Sequence, residues 1–402
     1  MRTWILDRYQ VYGRVALMAA IFVSPVIFNR KTQDVFNLVK FTVLVVATLV
    51  ALALYVIWAS ERAVWMPRFN LGWFAGAFLG ACLLATVFSA SPILSLVGLY
   101  HRYGGFLPFL LYAIMMFVIV GLYWEKPQDL KEIARASVAA SMVLAGYVLI
   151  QAAGADWIPW KDSTGNAPPF PVGTMGNSNF AGGYLGIAVP FVAYVAAAAK
   201  SYGMRTALFV FLGLDLLALW FTQTRGGMIA AGAGLLAMVF LYRDKIPRWF
   251  RMSTLVSAVA AAVLAVLILF HPGTSRPIGP LADVEAFRTG TFSVRTYYWG
   301  TALRIFKDNP IVGTGLDVYY ANYPKYRLPQ DGAQLGLTIT DKPHNIYVEY
   351  MANAGVLGAG AYLILVGAGL LYGYRVSKKQ TETNRLLLVA FTSVLAGYLA
   401  QG

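Results

Sequence analysis

The sequence predicts an all-α polytopic membrane protein, with about 11–12 transmembrane helices and one long polar loop subdomain. Three observations carry that expectation. Of the 402 residues, 58% are hydrophobic and only 12% are charged, whereas soluble domains carry about 25% charged residues. Apolar runs long enough to cross a bilayer recur from end to end. Lysine and arginine gather in alternate loops between those runs, as the positive-inside rule requires. The same pattern accounts for the net charge of +14, so membrane lipids, and not nucleic acid, are the expected surroundings.

The runs fall at 12–29, 35–58, 71–89, 105–123, 133–153, 179–199, 206–222, 227–242, 253–270, 345–372 and 386–401. The first, from Val15 to Phe28, is followed by Asn29, Arg30 and Lys31. A small-residue cleavage site is missing there, so this run reads as a membrane helix and not a signal peptide. With a cytoplasmic N-terminus, the clusters at Arg62 and Arg68, at Lys126, Lys131 and Arg135, at Lys200 and Arg205, at Arg243 to Arg251 and at Arg375 to Lys379 all fall on the cytoplasmic side. The loops 89–104, 154–178, 223–226 and 271–344 then face outward. The expected division is 1–270 as transmembrane helices 1–9, 271–344 as a periplasmic loop subdomain, and 345–402 as the C-terminal transmembrane helices. The last run stops as its helix would emerge, so a twelfth helix is expected to follow. Within 271–344, Ser293 to Lys307 reads as a helix with Ser293 as its N-cap. Its apolar face, Val294, Tyr298, Ile305 and Phe306, suits a membrane surface. Cys82 is the lone cysteine, so no disulfide forms within the chain.

The chemically informative residues lie in the outward loops, which carry cations that topology does not ask for. Arg102 sits in Tyr100-His101-Arg102-Tyr103-Gly104-Gly105, and Arg225 in Thr222-Gln223-Thr224-Arg225-Gly226-Gly227. Arg288 and Arg295 flank Thr289-Gly290-Thr291-Phe292-Ser293-Val294. Each is open to two readings. One is snorkelling or pairing with a carboxylate. The other is a phosphate clamp, since the guanidinium fork matches phosphate oxygens in pairs. Arg295 also falls in the first turn of its expected helix, where backbone N–H groups favour an anion.

His344, in Asp341-Lys342-Pro343-His344-Asn345, stands at the start of the run 345–372. A helix N-terminus disfavours imidazolium, and a neutral imidazole can take a proton from a hydroxyl. A plain capping role is the alternative. Asp341 either caps this helix or orients His344, and Glu349 is placed to pair with an arginine. Asn177 and Asn179, in Gly176-Asn177-Ser178-Asn179-Phe180-Ala181, either cap the next helix or hydrogen-bond sugar or phosphate. The spacing of His, Cys, Asp and Glu calls for no metal, and no cofactor is expected. Two charges inside runs, Lys40 and Asp215, are what a transporter or flippase would offer, though few for that class.

These segments resemble the O-antigen ligase family, within the bacterial oligosaccharide ligases and polymerases. The strongest match is His344-Asn345, nine residues, Gly355, two residues and Gly358. Arg225 in TQTRGG, the block Ser293 to Gly315 with Arg295, and GNSNFA at 176–181 follow the family order. The resemblance implies a GT-C-like glycosyltransferase in the bacterial inner membrane with a periplasmic active site. It implies transfer of a polysaccharide from undecaprenyl diphosphate to the lipid A–core of lipopolysaccharide, by metal-independent inversion. His344 would be the base, with Asn345 and Asp341 in support. Arg225 and Arg295 would hold the diphosphate, with Arg288 and Arg102 as second-line ligands. A polymerase and a protein-directed transferase share this donor chemistry.

Overall fold

A computed structural model describes residues 2–62, 69–161, 165–248, 252, 291–331 and 339–402. Among them the ordered elements are helical, and no strand occurs. The long helices are α1 (Arg2–Val26), α2 (Asn37–Arg62), α3 (Asn70–Val87), α5 (Phe106–Tyr123), α6 (Lys131–Ala152), α7 (Ser178–Ala198), α8 (Tyr202–Phe221), α9 (Arg225–Leu241), α12 (Ile346–Ser377) and α13 (Glu382–Gln401). Shorter ones are α4 (Pro92–Val97), α10 (Thr291–Asp308) and α11 (Tyr319–Tyr326). Nine of the described helices are long and apolar enough to cross a membrane. The chain is an all-α polytopic membrane protein. Each expected run within the described residues is helical over most of its length; the run 253–270 lies outside them.

The described residues form two units. The first comprises segments within Met1–Pro67, Ile114–Thr254 and Gly369–Gln401. At its centre α7 packs against α6, α8, α9 and α13. Leu144 and Val148 of α6, Leu185 and Val189 of α7, Leu219 of α8 and Ala231 of α9 share one core. The N-terminal halves of α7 and α9 touch backbone to backbone. A Cβ at Gly186 would overlap the Gly227 carbonyl, and one at Gly227 would overlap the Gly182 carbonyl. Small residues at such a crossing are what lipid-embedded helices use in place of a hydrophobic driving force.

Two charges inside this unit have local uses. The Lys40 ammonium donates to the carbonyls of Ser24 (3.1 Å), Pro25 (3.2 Å) and Ile27 (2.7 Å), capping the C-terminal end of α1, where carbonyls have no helical partner. This cap coincides with the end of α1 at Val26, a turn before the expected boundary. Asp215 is fully buried and accepts a 2.5 Å hydrogen bond from Ser141 Oγ. These contacts bind α1 to α2 and α8 to α6.

The second unit comprises segments within Arg68–Ala113 and Leu255–Ala368. Here α10 packs through Tyr298, Ala302 and Ile305 onto Tyr319 and Tyr323 of α11 and Ala352 of α12. Tyr298 and Ile305 of the expected stripe are thus covered by protein, with Val294 packed against the same cluster. The expected cap of α10 is also displaced. The helix already includes Thr291, so Ser293 lies inside it and Arg295 lies beyond the first turn.

A break in α12 organises this unit. Gly355 has φ 62° and ψ −165° in the middle of the helix, a conformation essentially restricted to glycine. The segment 310–315 laces into the break. Thr314 N donates to Ala352 O (3.1 Å), Gly315 N to Asn353 O (2.9 Å), Val356 N to Pro310 O (2.8 Å) and Leu357 N to Ile311 O (3.2 Å). A Cβ on Gly355 would overlap the Ile311 carbonyl. The glycine of the sequence signature is thus a latch for the chain that leads out of α10. Gly355→Ala should cost about 1–3 kcal/mol from the backbone conformation alone, with the overlap added. A fall in the thermal midpoint of the purified protein checks this; an unchanged midpoint refutes it.

Candidate active site

The second unit holds a charged cluster around His344. Asn345 starts α12 as its N-cap: its Oδ1 accepts from Tyr347 N and Val348 N, both at 3.1 Å. That settles the capping alternatives, since neither His344 nor Asp341 caps the helix. His344 precedes the cap with φ 56°, a left-handed conformation that histidine adopts more readily than most residues. The residue is exposed, and its ring lies 6.0 Å, centroid to centroid, from that of Tyr298. Trp299 Nε1 donates to Pro343 O at 3.0 Å, fastening α10 to the residue before the histidine. Arg295 is one turn from Trp299 on the same face of α10.

This setting disfavours imidazolium. Partial desolvation of the ring comes first, then the positive charge of Arg295, with Arg102 and Lys342 adding smaller effects. Asp341 opposes them. The net result holds His344 below the usual histidine value of 6.5. The ring is therefore predominantly neutral at neutral pH, as a proton acceptor must be.

The neighbouring charges are locked in place. Arg102 Nε donates to Asp341 Oδ2 in an ion pair. Lys342 Nζ binds Glu349 Oε1 at 2.8 Å and lies 3.7 Å from Asp317 Oδ1. Glu349 thus pairs with a lysine, where an arginine was expected. Burial would depress the Lys342 ammonium, but Glu349 and Asp317 outweigh it and raise it. Asp317, 2% exposed, is the hub: its Oδ2 also accepts from Leu99 N (2.8 Å) and Gly104 N (3.1 Å). The loop 98–105 curls around this carboxylate so tightly that a Cβ on Gly104 would press on it. Asp317 thereby sets the loop that presents Arg102 and steadies the lysine two residues before His344. Sequence reasoning missed Asp317, Lys342 and Trp299. The signals were the Gly313-Thr314-Gly315 turn just before Asp317 and the Lys342-Pro343 step just before His344.

In the first unit, Arg225 is the first residue of α9. Thr224 makes no side-chain cap there; its Oγ1 donates instead to Ser178 O at 2.8 Å, joining the starts of α7 and α9. Asn177 caps α7, its Oδ1 accepting from Asn179 N at 2.8 Å. Asn179 sits in the first turn. The structure brings Arg102, Arg295, Asp341, Asn345 and His344 into the second unit, and Arg225, Asn177 and Asn179 into the first. Arg288 lies outside the described residues.

The family model described as O-antigen ligase matches residues 208–363. The matched stretch contains Arg225, Arg295, His344, Asn345 and the Gly355 latch, whereas Arg102, Asn177 and Asn179 precede it. No curated protein matches the chain. Over residues 208–363 the chain is similar to the O-antigen ligase family.

Proposed function

We propose that this protein is a glycosyltransferase that moves a polysaccharide from undecaprenyl diphosphate to a hydroxyl of the lipid A–core of lipopolysaccharide. The observation that carries this reading is His344, exposed, held neutral, and set beside Arg295. The acceptor O–H gives its proton to the His344 imidazole as the oxygen attacks the anomeric carbon. The bond from that carbon to the diphosphate oxygen breaks, and its electron pair leaves with undecaprenyl diphosphate. Attack from the face opposite the leaving group inverts the anomeric centre. Negative charge grows on the diphosphate as the bond breaks, and a preorganised guanidinium stabilises it. Arg295 supplies that group in the second unit. Arg225, the first residue of α9, is a further candidate for holding diphosphate by the order of the sequence motifs. Basic loops support a cytoplasmic N-terminus in the bacterial inner membrane, with this chemistry on the periplasmic side.

Incubating the purified protein with lipid-linked polysaccharide and two acceptors, lipid A–core and a second lipid-linked glycan, tests the assignment. Elongated lipid A–core is expected. Product on the lipid-linked glycan alone would make the protein a polymerase.

The pH dependence follows from the same geometry. His344 acts in its unprotonated form, so transfer should rise with pH and level off once imidazolium is lost. Burial and the charge of Arg295 lower its value below that of an ordinary histidine, so the acid limb should lie at lower pH than an ordinary histidine would place it. Asp341 raises the histidine, so Asp341→Asn should move the acid limb to lower pH. Movement to higher pH would contradict this electrostatic account.

A further inference from the structure

The first unit carries a cleft that no step above uses. Two adjoining hollows, of about 490 Å³ and 180 Å³, share the walls Trp160, Pro168, Pro169, Phe170 and Val172. One reaches Gln223, two residues before Arg225. The other reaches Lys161 and Asn177. We propose that this cleft binds a stretch of the glycan chain, as a saccharide subsite at the end of the unit that carries Arg225. The inference rests on the transferase reading for the source of the glycan, but the site is argued from its own chemistry.

The cleft is prebuilt. The Trp160 ring leans on Phe28 (centroids 5.4 Å, edge-on) and Phe36 (5.2 Å), and its Nε1 donates to the Tyr147 hydroxyl at 2.8 Å. Asp156 fixes the bend below it, accepting from Tyr147 OH (3.0 Å), Gln151 Nε2 (2.8 Å) and Ile158 N (2.9 Å). Gln151 Oε1 in turn accepts from Gly173 N at 2.8 Å. Four prolines between 159 and 171 restrict the loop further. Rigid walls of this kind limit the ordering that a ligand must impose.

The wall chemistry selects the occupant. Trp160 offers an aromatic surface held from behind, and Phe170 is 44% exposed. Around them stand a carboxylate (Asp156), amides (Gln151, Gln223, Asn177) and an ammonium (Lys161). A sugar ring presents C–H groups on one face and hydroxyls around its edge. It therefore matches aromatic walls interleaved with acceptors and donors. A polyprenyl chain would leave the polar groups desolvated without partners.

The test uses the full chain in nanodiscs and, as probe, soluble glycan fragments released from lipopolysaccharide by mild acid. Wild type should bind them, and Phe170→Ala should weaken binding about fivefold, within what one aromatic contact contributes. Binding of undecaprenyl diphosphate alone should be unchanged. Lys161→Ala, which removes the ammonium of the other hollow, serves as a second variant and should also weaken the fragments. No binding by wild type, equal binding by wild type and Phe170→Ala, or displacement of bound fragments by undecaprenyl phosphate overturns the subsite. If fragments bind through Phe170 and no polysaccharide is ever transferred, the subsite stands and the transferase reading fails.

Discussion

Replacing His344 with alanine should lower the rate of polysaccharide transfer by about 10²–10⁴-fold, the range that a positioned general base contributes. The affinity for the lipid-linked donor should stay close to that of wild type. The acceptor hydroxyl is a weak nucleophile while it keeps its proton, and His344 is the exposed neutral base in this cluster. Folding should survive, because the helix cap is Asn345 and the latch is Gly355, neither of which needs the imidazole. Steady-state transfer with saturating donor, beside a thermal midpoint, separates a chemical defect from a folding one. Asp317→Ala should behave differently. It removes the anchor of two backbone amides and a neighbour of Lys342, so both stability and transfer should fall.

Arg295→Ala should reduce transfer by about 10²–10³-fold, as losing one preorganised donor to a developing anion does elsewhere. Donor affinity should fall with it. Arg295→Lys should recover little, because an ammonium replaces two parallel N–H groups with a point charge. There is a second, opposite consequence on the pH profile. Arg295 is the charge that lowers His344 most, so removing it should move the residual acid limb to higher pH. A variant that lost transfer without moving that limb would separate the arginine from the histidine. Arg225 is not among the groups that shift His344 most, and Arg225→Ala tests the donor side alone. It should weaken use of the donor and leave the pH profile where it was.

The membrane helices were legible because lipid imposes length and hydropathy directly on the sequence. The candidate site was legible in part. His344, Asn345, Arg295 and Arg225 stand out as polar residues beside apolar runs, and the spacing to Gly355 marks the signature. What the glycine does was not legible, since a helix break shows itself only when the segment 310–315 is seen bonded to 352–357. The stripe on α10 shows a related limit. Periodicity identified Tyr298 and Ile305 as one face but could not say what covers it, and the aromatic pair Tyr319 and Tyr323 does. The start of α10 was misplaced because Ser293 is a good cap residue in sequence, whereas the helix already includes Thr291. Asp317 escaped notice because its partners, Leu99 N and Gly104 N, are backbone groups more than two hundred residues away, which no local pattern records.

The most direct test is a single-turnover experiment. Wild-type and His344→Ala protein, each loaded with radiolabelled polysaccharide on undecaprenyl diphosphate in nanodiscs, are mixed with excess lipid A–core and quenched over time. The account predicts rapid transfer of bound label by wild type and retention of nearly all label on the lipid by His344→Ala. Transfer at the wild-type rate from the alanine variant would contradict it.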